Sequence, residues 1–421
     1  MTVPKVAFHN LGCRLNRLEL DLIADELEDA GCMIVSEDEA DAIVVNTCAV
    51  TNEAEAKCRK VVRYLSRLES HPLVFVTGCD ASLFGNELQA LSSSVRVVTE
   101  KSIVAAKLLA ELDSDSDFTS HTTCHHAGVT PTGRTRPGIK IQDGCDNRCT
   151  YCIIWKARGK ANSLAPEYVL DSIHKAVSGG APEVVLSGVN LGSYRMPGSK
   201  NASDLPALLQ RILQETKVER IRLSSIEPPD VTEELVDVMA KSDGRIAPFL
   251  HICLQAGSDR TLRRMARVYD IQLYRKVVQC ARAALPELAL GCDLIVGFPG
   301  ETDEDFEASL AFCEEMQFAK MHVFRYSKRP GTPAAMMPNQ VPAQLMSVRA
   351  RRIRELARRM RHQQAELCLG REELVVVQSQ GRGISGGLFD VLLDPCIPVG
   401  SLVRVVPHSI CEDFSLDART I

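Results

Sequence analysis

The chain has no apolar run long enough to span a bilayer, a single tryptophan, few aromatic residues and no excess of positive charge. Each shortage excludes something. A membrane-crossing helix needs about 20 mostly apolar residues in succession, and none is present. The opening Met1 to Asn10 also lacks a basic region followed by an apolar one, so a cytoplasmic protein with reduced thiols and no membrane partner is expected. A formal charge of −5 excludes a chain that is basic all over, although phosphate binding depends on where charge sits. With 45% hydrophobic residues in 421, the chain can bury more than one core, and two or three domains are expected.

Cysteine, in contrast, is plentiful: there are 16. Nine of them (Cys32, Cys58, Cys253, Cys280, Cys292, Cys313, Cys368, Cys396 and Cys411) lie singly in helix-like or strand-like surroundings and read as inert packing residues. The others are placed differently. Short apolar, β-branched runs at 5–8, 42–46 and 73–77 alternate with helix-like segments at 18–30 and 54–68, the rhythm of a doubly wound parallel sheet. Each run is followed within a few residues by a cysteine: Cys13, Cys48 and Cys79. In such a sheet the carboxyl ends of the strands face one crevice, so the three thiols should converge there. Gly12 and Gly78 beside them permit close backbone approach.

Residues 113–133 are polar and aperiodic and read as a linker; adjacent histidines at 125 and 126, with His121 and Cys124, do not make one tetrahedral metal site without further ligands. From residue 134 strand-like segments at 139–142, 183–187, 220–224, 249–255, 288–296 and 321–326 alternate with helices, suggesting a partial or closed β/α barrel to residue 362. One helix is marked by Pro166 near its start and Gly179-Gly180 past its end. Residues 363–421 carry short strands at 374–377, 389–393 and 402–406 punctuated by glycine, as in a small β-barrel. The fold class is therefore α/β with an all-β carboxyl-terminal domain.

The sharpest motif is Asp143-Gly-Cys-Asp-Asn-Arg-Cys-Thr-Tyr-Cys152, which spaces Cys145, Cys149 and Cys152 by three and then two residues. Three clustered thiolates suit a soft metal or an iron–sulfur cluster. A structural zinc site would want a fourth ligand, and no cysteine or histidine follows before His174. Three ligands on four irons leave one iron open to a reactant.

The Cys-x-x-x-Cys-x-x-Cys spacing, with Tyr151 before its last cysteine, resembles the radical-SAM signature. Together with Ala157-Arg158-Gly159 and the three earlier cysteines, it is similar to the methylthiotransferase family. The segments 188–194, 222–228, 254–259, 296–301 and 329–333 extend the likeness over nearly the whole chain. The resemblance implies an enzyme that transfers a sulfur-containing group, with two [4Fe–4S] clusters and S-adenosyl-L-methionine as cofactors. It implies that the cluster on Cys145, Cys149 and Cys152 binds and reductively cleaves S-adenosylmethionine, and that the cluster on Cys13, Cys48 and Cys79 carries the sulfur to be methylated and transferred. Tyr151, Gly188, Glu227, Gln255 and Val296 fall at strand ends or in the signature, where the cofactor should rest; for the last four, backbone or core work is the competing reading. Trp155 and Arg325 stand where relatives commonly carry proline. The indole could stack on a base or be structural.

Seven arginines lie between Arg349 and Arg361 against one acidic residue, Glu355, while Ile353, Leu356 and Met360 recur at helical spacing. This predicts a basic helix face for RNA, with Arg351, Arg354, Arg358 and Arg361 as phosphate contacts. The carboxyl-terminal barrel resembles the TRAM-like appendage of the family. Blocks 11–16, 46–51 and 143–148 are most similar to the branch that modifies N6-threonylcarbamoyladenosine at position 37, in the tRNA anticodon stem-loop, using an external reductant. The isopentenyladenosine branch is the alternative, and an iron–sulfur electron-transfer protein is the reading from another class. The sulfur donor is not legible.

Overall fold

A computed structural model describes residues 3–112, 134–201 and 203–421. The linker read at 113–133, with His121, Cys124, His125 and His126, lies outside the described residues. The chain divides into two compact units: Met1–Arg134 with Gly144–Asp146 and Cys152–Lys160, and Thr135–Asp143 with Asn147–Tyr151 and Ala161–Ile421.

The first unit is built on five parallel strands, β1 (Lys5–Asn10), β2 (Met33–Ile34), β3 (Ala42–Thr47), β4 (Leu73–Gly78) and β5 (Val95–Val97), in the order β2-β1-β3-β4-β5. The three strands expected from their apolar runs are the central ones. Flanking β2 and β5 are only two and three residues long, so they carry no comparable run. Every residue of β3 is buried, and successive side chains alternate between two cores. Val44 packs with Leu20, Phe75 and Leu108, whereas Ile43 and Val45 pack with Val62, Val74 and Leu88. Two-sided burial is why this strand reads as a continuous hydrophobic stretch. The helices of this unit are α1 (Arg14–Asp29), α2 (Asn52–Leu65), α3 (Cys79–Gln89), α4 (Val104–Glu111) and α5 (Ile154–Arg158). Thr51 starts α2 by accepting the Ala54 N–H on its side chain, which satisfies one of the otherwise orphaned first-turn donors. Short α5 is held by apolar packing of Ile153, Ile154 and Ala157 with Ala49, Cys79 and Leu83.

In the second unit β6 (Gly138–Lys140) leads into a small antiparallel pair, β7 (Gln142–Asp143) with β8 (Asn162–Ser163). Then α6 (Pro166–Ser178), β9 (Glu183–Ser187), α7 (Leu205–Glu215), β10 (Arg220–Leu223), β11 (Ser225–Ile226), α8 (Glu233–Ala240), β12 (Phe249–Ile252), α9 (Asp259–Arg264), α10 (Ile271–Ala284), β13 (Ala289–Val296), α11 (Asp303–Met316), β14 (Lys320–Arg325) and α12 (Ala343–Glu366) follow. The strands form two parallel sheets, β10-β9-β6 and β11-β12-β13-β14, the pattern of a partial β/α barrel. A closed five-stranded barrel ends the chain: β15 (Glu373–Ser379), β16 (Arg382–Ser385), β17 (Asp390–Leu392), β18 (Leu402–Ile410) and β19 (Leu416–Thr420). Among the described residues no helix is long and apolar enough to cross a membrane.

The terminal barrel is docked on the β/α strands through a buried charge cluster. Glu183, fully buried on β9, receives Arg220 Nε and, at 2.9 Å, Arg222 Nε, with Arg136 Nη1 at 3.2 Å. The same two arginines reach the barrel: Arg220 Nη1 donates to the Leu374 carbonyl, and Arg222 Nη1 and Nη2 donate to the carbonyls of Gly386 and Ser385 at 2.8 and 3.0 Å. Burial alone would raise the Glu183 carboxyl, but Arg222, Arg220 and Arg136 together hold it well below the usual carboxylate range. A depressed carboxyl stabilises the fold at pH values above its unfolded pKa, and that contribution fades as pH falls through the folded one. Breaking a buried pair costs on the order of 3 kcal/mol. Glu183→Gln should therefore lower the denaturation midpoint near neutral pH, and the gap from wild type should narrow below about pH 4. A gap of constant size from pH 7 to pH 3 would contradict this account.

Candidate active site

The first cysteine trio is made by the strand ends of one sheet. Cys13 follows β1 and caps α1, Cys48 follows β3, and Cys79 follows β4 as the first residue of α3. Residues 35 and 31 positions apart in sequence meet because parallel strands deliver their carboxyl ends to the same edge. Gly78 is required by its backbone, with φ of +99°, and by space: a Cβ there would stand 2.2 Å from Asn46 Oδ1. Beneath the thiols lies a polar lattice. Asn16 Nδ2 donates to Asn46 Oδ1 at 2.6 Å and to the Thr47 carbonyl at 3.0 Å, and Cys13 Sγ donates to Asn16 Oδ1 at 3.1 Å.

The thiols sense one another. Burial pushes Cys48 up to about 11, with the Cys13 and Cys79 sulfurs and Asp80 pushing the same way. Burial also raises Cys79, against the pull of Arg158 and Lys101. Arg158 Nε lies 3.3 Å from Cys79 Sγ while its Nη1 lies 2.8 Å from Glu19 Oε1, and Lys101 Nζ reaches the same Glu19 oxygen at 2.8 Å. Three sulfur donors gathered beside cations fit an iron–sulfur cluster, whose ligands must be thiolates.

Of the second trio, Cys145 and Cys152 fold with the first unit and Cys149 with the second. The Cys145 N–H donates to the Gly159 carbonyl at 3.1 Å, and the Ile154 N–H points to Cys152 Sγ at 3.4 Å. The segment carrying buried Cys149 is pinned by Thr150, whose N–H donates to the Met265 carbonyl and whose carbonyl receives the Ala334 N–H. Arg267 completes the environment of Cys149: Nη1 lies 2.9 Å from Sγ, Nη2 2.7 Å from Glu227 Oε1, and Nε donates to Tyr269 Oη at 3.1 Å. Tyr151 stands edge-on to Phe298, which is edge-on to Tyr326.

The strand-end residues divide by role. Glu227 is committed to Arg267, and next to it the Asp230 carboxyl is raised to about 6 by burial and by the Glu227 charge. Gln255 adopts a left-handed backbone, φ of +64°, as its N–H and C=O bridge to Asp293 and Ile295. A non-glycine residue held there stores strain of about 1 kcal/mol or more, as positions at functional sites often do. A side chain at Gly188 would collide with Gln142, whose Oε1 accepts the Asn190 N–H. Val296 puts its side chain into the core, leaving its carbonyl to accept the Tyr326 N–H.

A further polar row, singled out by no spacing rule, crosses β12 to β14. Asp293 Oδ1 lies 3.1 Å from His251 Nε2 and 3.0 Å from His322 Nδ1, with the imidazoles stacked. Trp155 is half-buried with Lys156 above its ring, and exposed Arg325 donates to Ser347 Oγ. Cys280 and Cys396, read from sequence as packing residues, are exposed, whereas Cys32, Cys58, Cys292 and Cys313 are buried.

The basic helix α12 is present, and its arginines do different work. Arg349 is buried against Glu301 and Asp303, and Arg352 pairs with Glu307. Arg351, Arg354 and Arg358 are exposed, with Arg358 over the Phe414 ring. Arg361 instead donates to the carbonyls of Ala319 and Leu388 and lies 3.8 Å over Phe389.

Comparison with known proteins follows the same division. The model of the Radical SAM superfamily matches residues 139–313, and that of uncharacterized protein family UPF0004 matches residues 5–100. The threonylcarbamoyladenosine tRNA methylthiotransferase MtaB of Thermotoga maritima is 34% identical over 89% of this chain and 86% of its own. The MtaB protein of Bacillus subtilis is 38% identical over 83% of this chain and 79% of its own. Among solved structures, the radical S-adenosylmethionine methyltransferase TsrM from Kitasatospora setae, with cobalamin and a [4Fe–4S] cluster bound, aligns with a TM-score of 0.56 at 15% identity, covering 80% of this chain and 77% of that one. That likeness is one of fold.

The two kinds of arginine on α12 predict opposite mutant behaviour. Arg361→Ala should cost about 1–2 kcal/mol of stability through its lost carbonyl bonds and ring contact, whereas Arg354→Ala should change stability by less than about 0.5 kcal/mol. Chemical denaturation of both variants tests this, and equal losses would refute the distinction.

Proposed function

Because the chain belongs to the radical-SAM tRNA methylthiotransferase family, we propose that it adds a methylthio group to C2 of N6-threonylcarbamoyladenosine at position 37 of tRNA, as a cytoplasmic enzyme. The observation that carries this reading is the likeness to threonylcarbamoyladenosine tRNA methylthiotransferases over more than four-fifths of the chain. In it, residues 1–112 form the domain of the first trio, 134–362 the radical-SAM domain, and 363–421 a TRAM-like RNA-binding barrel.

Cys145, Cys149 and Cys152 would hold one [4Fe–4S] cluster, and Cys13, Cys48 and Cys79 a second. When bound, these groups and S-adenosylmethionine supply the radical and the sulfur that the reaction needs. The chain's own task is placement. Tyr151, the Gly188 backbone, Glu227, Gln255 and the Val296 carbonyl surround the strand ends where S-adenosylmethionine is to rest. Glu227 fixes Arg267, and Arg267 fixes the sulfur of Cys149, so that the ligand is delivered in one orientation. Half-buried Tyr151, with Phe298 and Tyr326 buried behind it, would form an aromatic wall that limits water at the site. Exposed Arg351, Arg354 and Arg358 would meet tRNA phosphates near the anticodon stem-loop. Arg361 is spent on the fold.

Nucleoside analysis of tRNA from a strain lacking the gene tests the substrate. The methylthio form of threonylcarbamoyladenosine should disappear, and the plasmid-borne gene should restore it, whereas a Cys149→Ala copy should not. Loss of the methylthio isopentenyl form alone would reassign the substrate. Absence of 5′-deoxyadenosine after anaerobic reconstitution and incubation with dithionite and S-adenosylmethionine would reject the radical chemistry.

A further inference from the structure

One cysteine from each trio is met by the same three-part arrangement: a glutamate holds an arginine, and the arginine points an N–H at sulfur. In the second unit it is Glu227, Arg267 and Cys149; in the first it is Glu19, Arg158 and Cys79. Arg158 and Glu19 are both nearly fully buried, with side chains 3% and 4% exposed. A guanidinium carries five N–H donors, so it can hold a carboxylate with one edge and still offer a donor to a second acceptor. Arg158 gives Nη1 and Nη2 to the two Glu19 oxygens, at 2.8 and 3.3 Å, and turns Nε to the Cys79 sulfur. Lys101 also pairs with Glu19, so this carboxylate faces two cations, and buried Asp80 adds a second carboxyl beside the thiols. Nothing in the spacing of the cysteines requires this.

We propose that Arg158, oriented by Glu19, is a positioning residue for the cluster on Cys13, Cys48 and Cys79, and that its N–H bond to the Cys79 sulfur raises that cluster's reduction potential. The inference rests on the reading of these three cysteines as cluster ligands. The physical reason is that a donor at a ligand sulfur withdraws electron density from it, and a nearby positive charge favours the state with one more electron. In a dry site that preference is little screened. No bond is made or broken: the couple takes up one electron, supplied in a titration by dithionite. The placement also joins the two trios in sequence. Arg158 ends α5, while the Ile154 N–H at the start of that helix points to Cys152 Sγ, so one five-residue helix touches a ligand of each trio.

The test is a dithionite titration, followed by electron paramagnetic resonance, on the full-length reconstituted chain carrying Cys145→Ala, Cys149→Ala and Cys152→Ala, so that only the first cluster remains. In that background Arg158→Met should keep about four irons per chain and move the midpoint to lower potential, and Arg158→Lys, which retains the charge, should recover part of the shift. Arg158→Met with full iron and an unmoved midpoint overturns the proposal. Should Arg158→Met fail to hold a cluster, Arg158→Gln decides: without the positive charge the midpoint should fall, and an unmoved or raised value with full iron overturns the proposal. If the background chain itself assembles no cluster while the wild type does, the assignment of the first trio is wrong and the inference falls with it; if the cluster forms and titrates as described but tRNA analysis fails, only the substrate is wrong.

Discussion

Thiolates gathered in a dry crevice repel one another, and the fold must set cations against them. This constraint organises both cysteine sites. Cys48 and Cys79 are buried, and burial disfavours their charged forms. The compensation comes from Arg158 and Lys101 in one unit and from Arg267 in the other, each held by a buried or half-buried glutamate. A buried arginine is costly without a partner, and a buried glutamate likewise, so the carboxylate and the guanidinium stabilise one another and together face the sulfur. The chain thereby keeps its soft donors available for metal while remaining folded around them.

Much of this was legible in the sequence, for a geometric reason. A parallel sheet converts a regular feature of sequence, cysteine just past a strand, into a single spatial edge, and the apolar runs of β1, β3 and β4 are unmistakable because both faces are covered. The compact spacing of Cys145, Cys149 and Cys152 needs no folding argument at all. What was illegible is also explained by geometry. Arg267 and Lys101 are single charged residues whose partners lie 40 and 82 positions away, and nothing local distinguishes them from solvated surface residues. The His251, Asp293 and His322 row is spread over three strands and becomes a row only through their register. Strands β2, β5, β16 and β19 escaped because they are short or at sheet margins, where alternation is weak.

Helix α12 shows the limit of reading charge from composition. A helical projection assigns residues to faces but does not say what else lies against each face. Arg351 and Arg354 remain open to solvent, yet Arg349 and Arg361, on the same basic stretch, are absorbed into the packing of the second unit. Arginine can do both because its long apolar stem covers hydrophobic surface while its planar head finds carbonyls or an aromatic face.

The dock of the terminal barrel has an evolutionary corollary. Arg220 and Arg222 grip the carbonyls of Leu374, Ile384, Ser385 and Gly386, and every amino acid offers a carbonyl. The attachment is therefore largely blind to the side chains of the domain it secures. Surface residues of the barrel can drift without loosening the joint. A lineage could exchange the outward side chains of β15 to β19 freely while Glu183 and its arginines stay as they are.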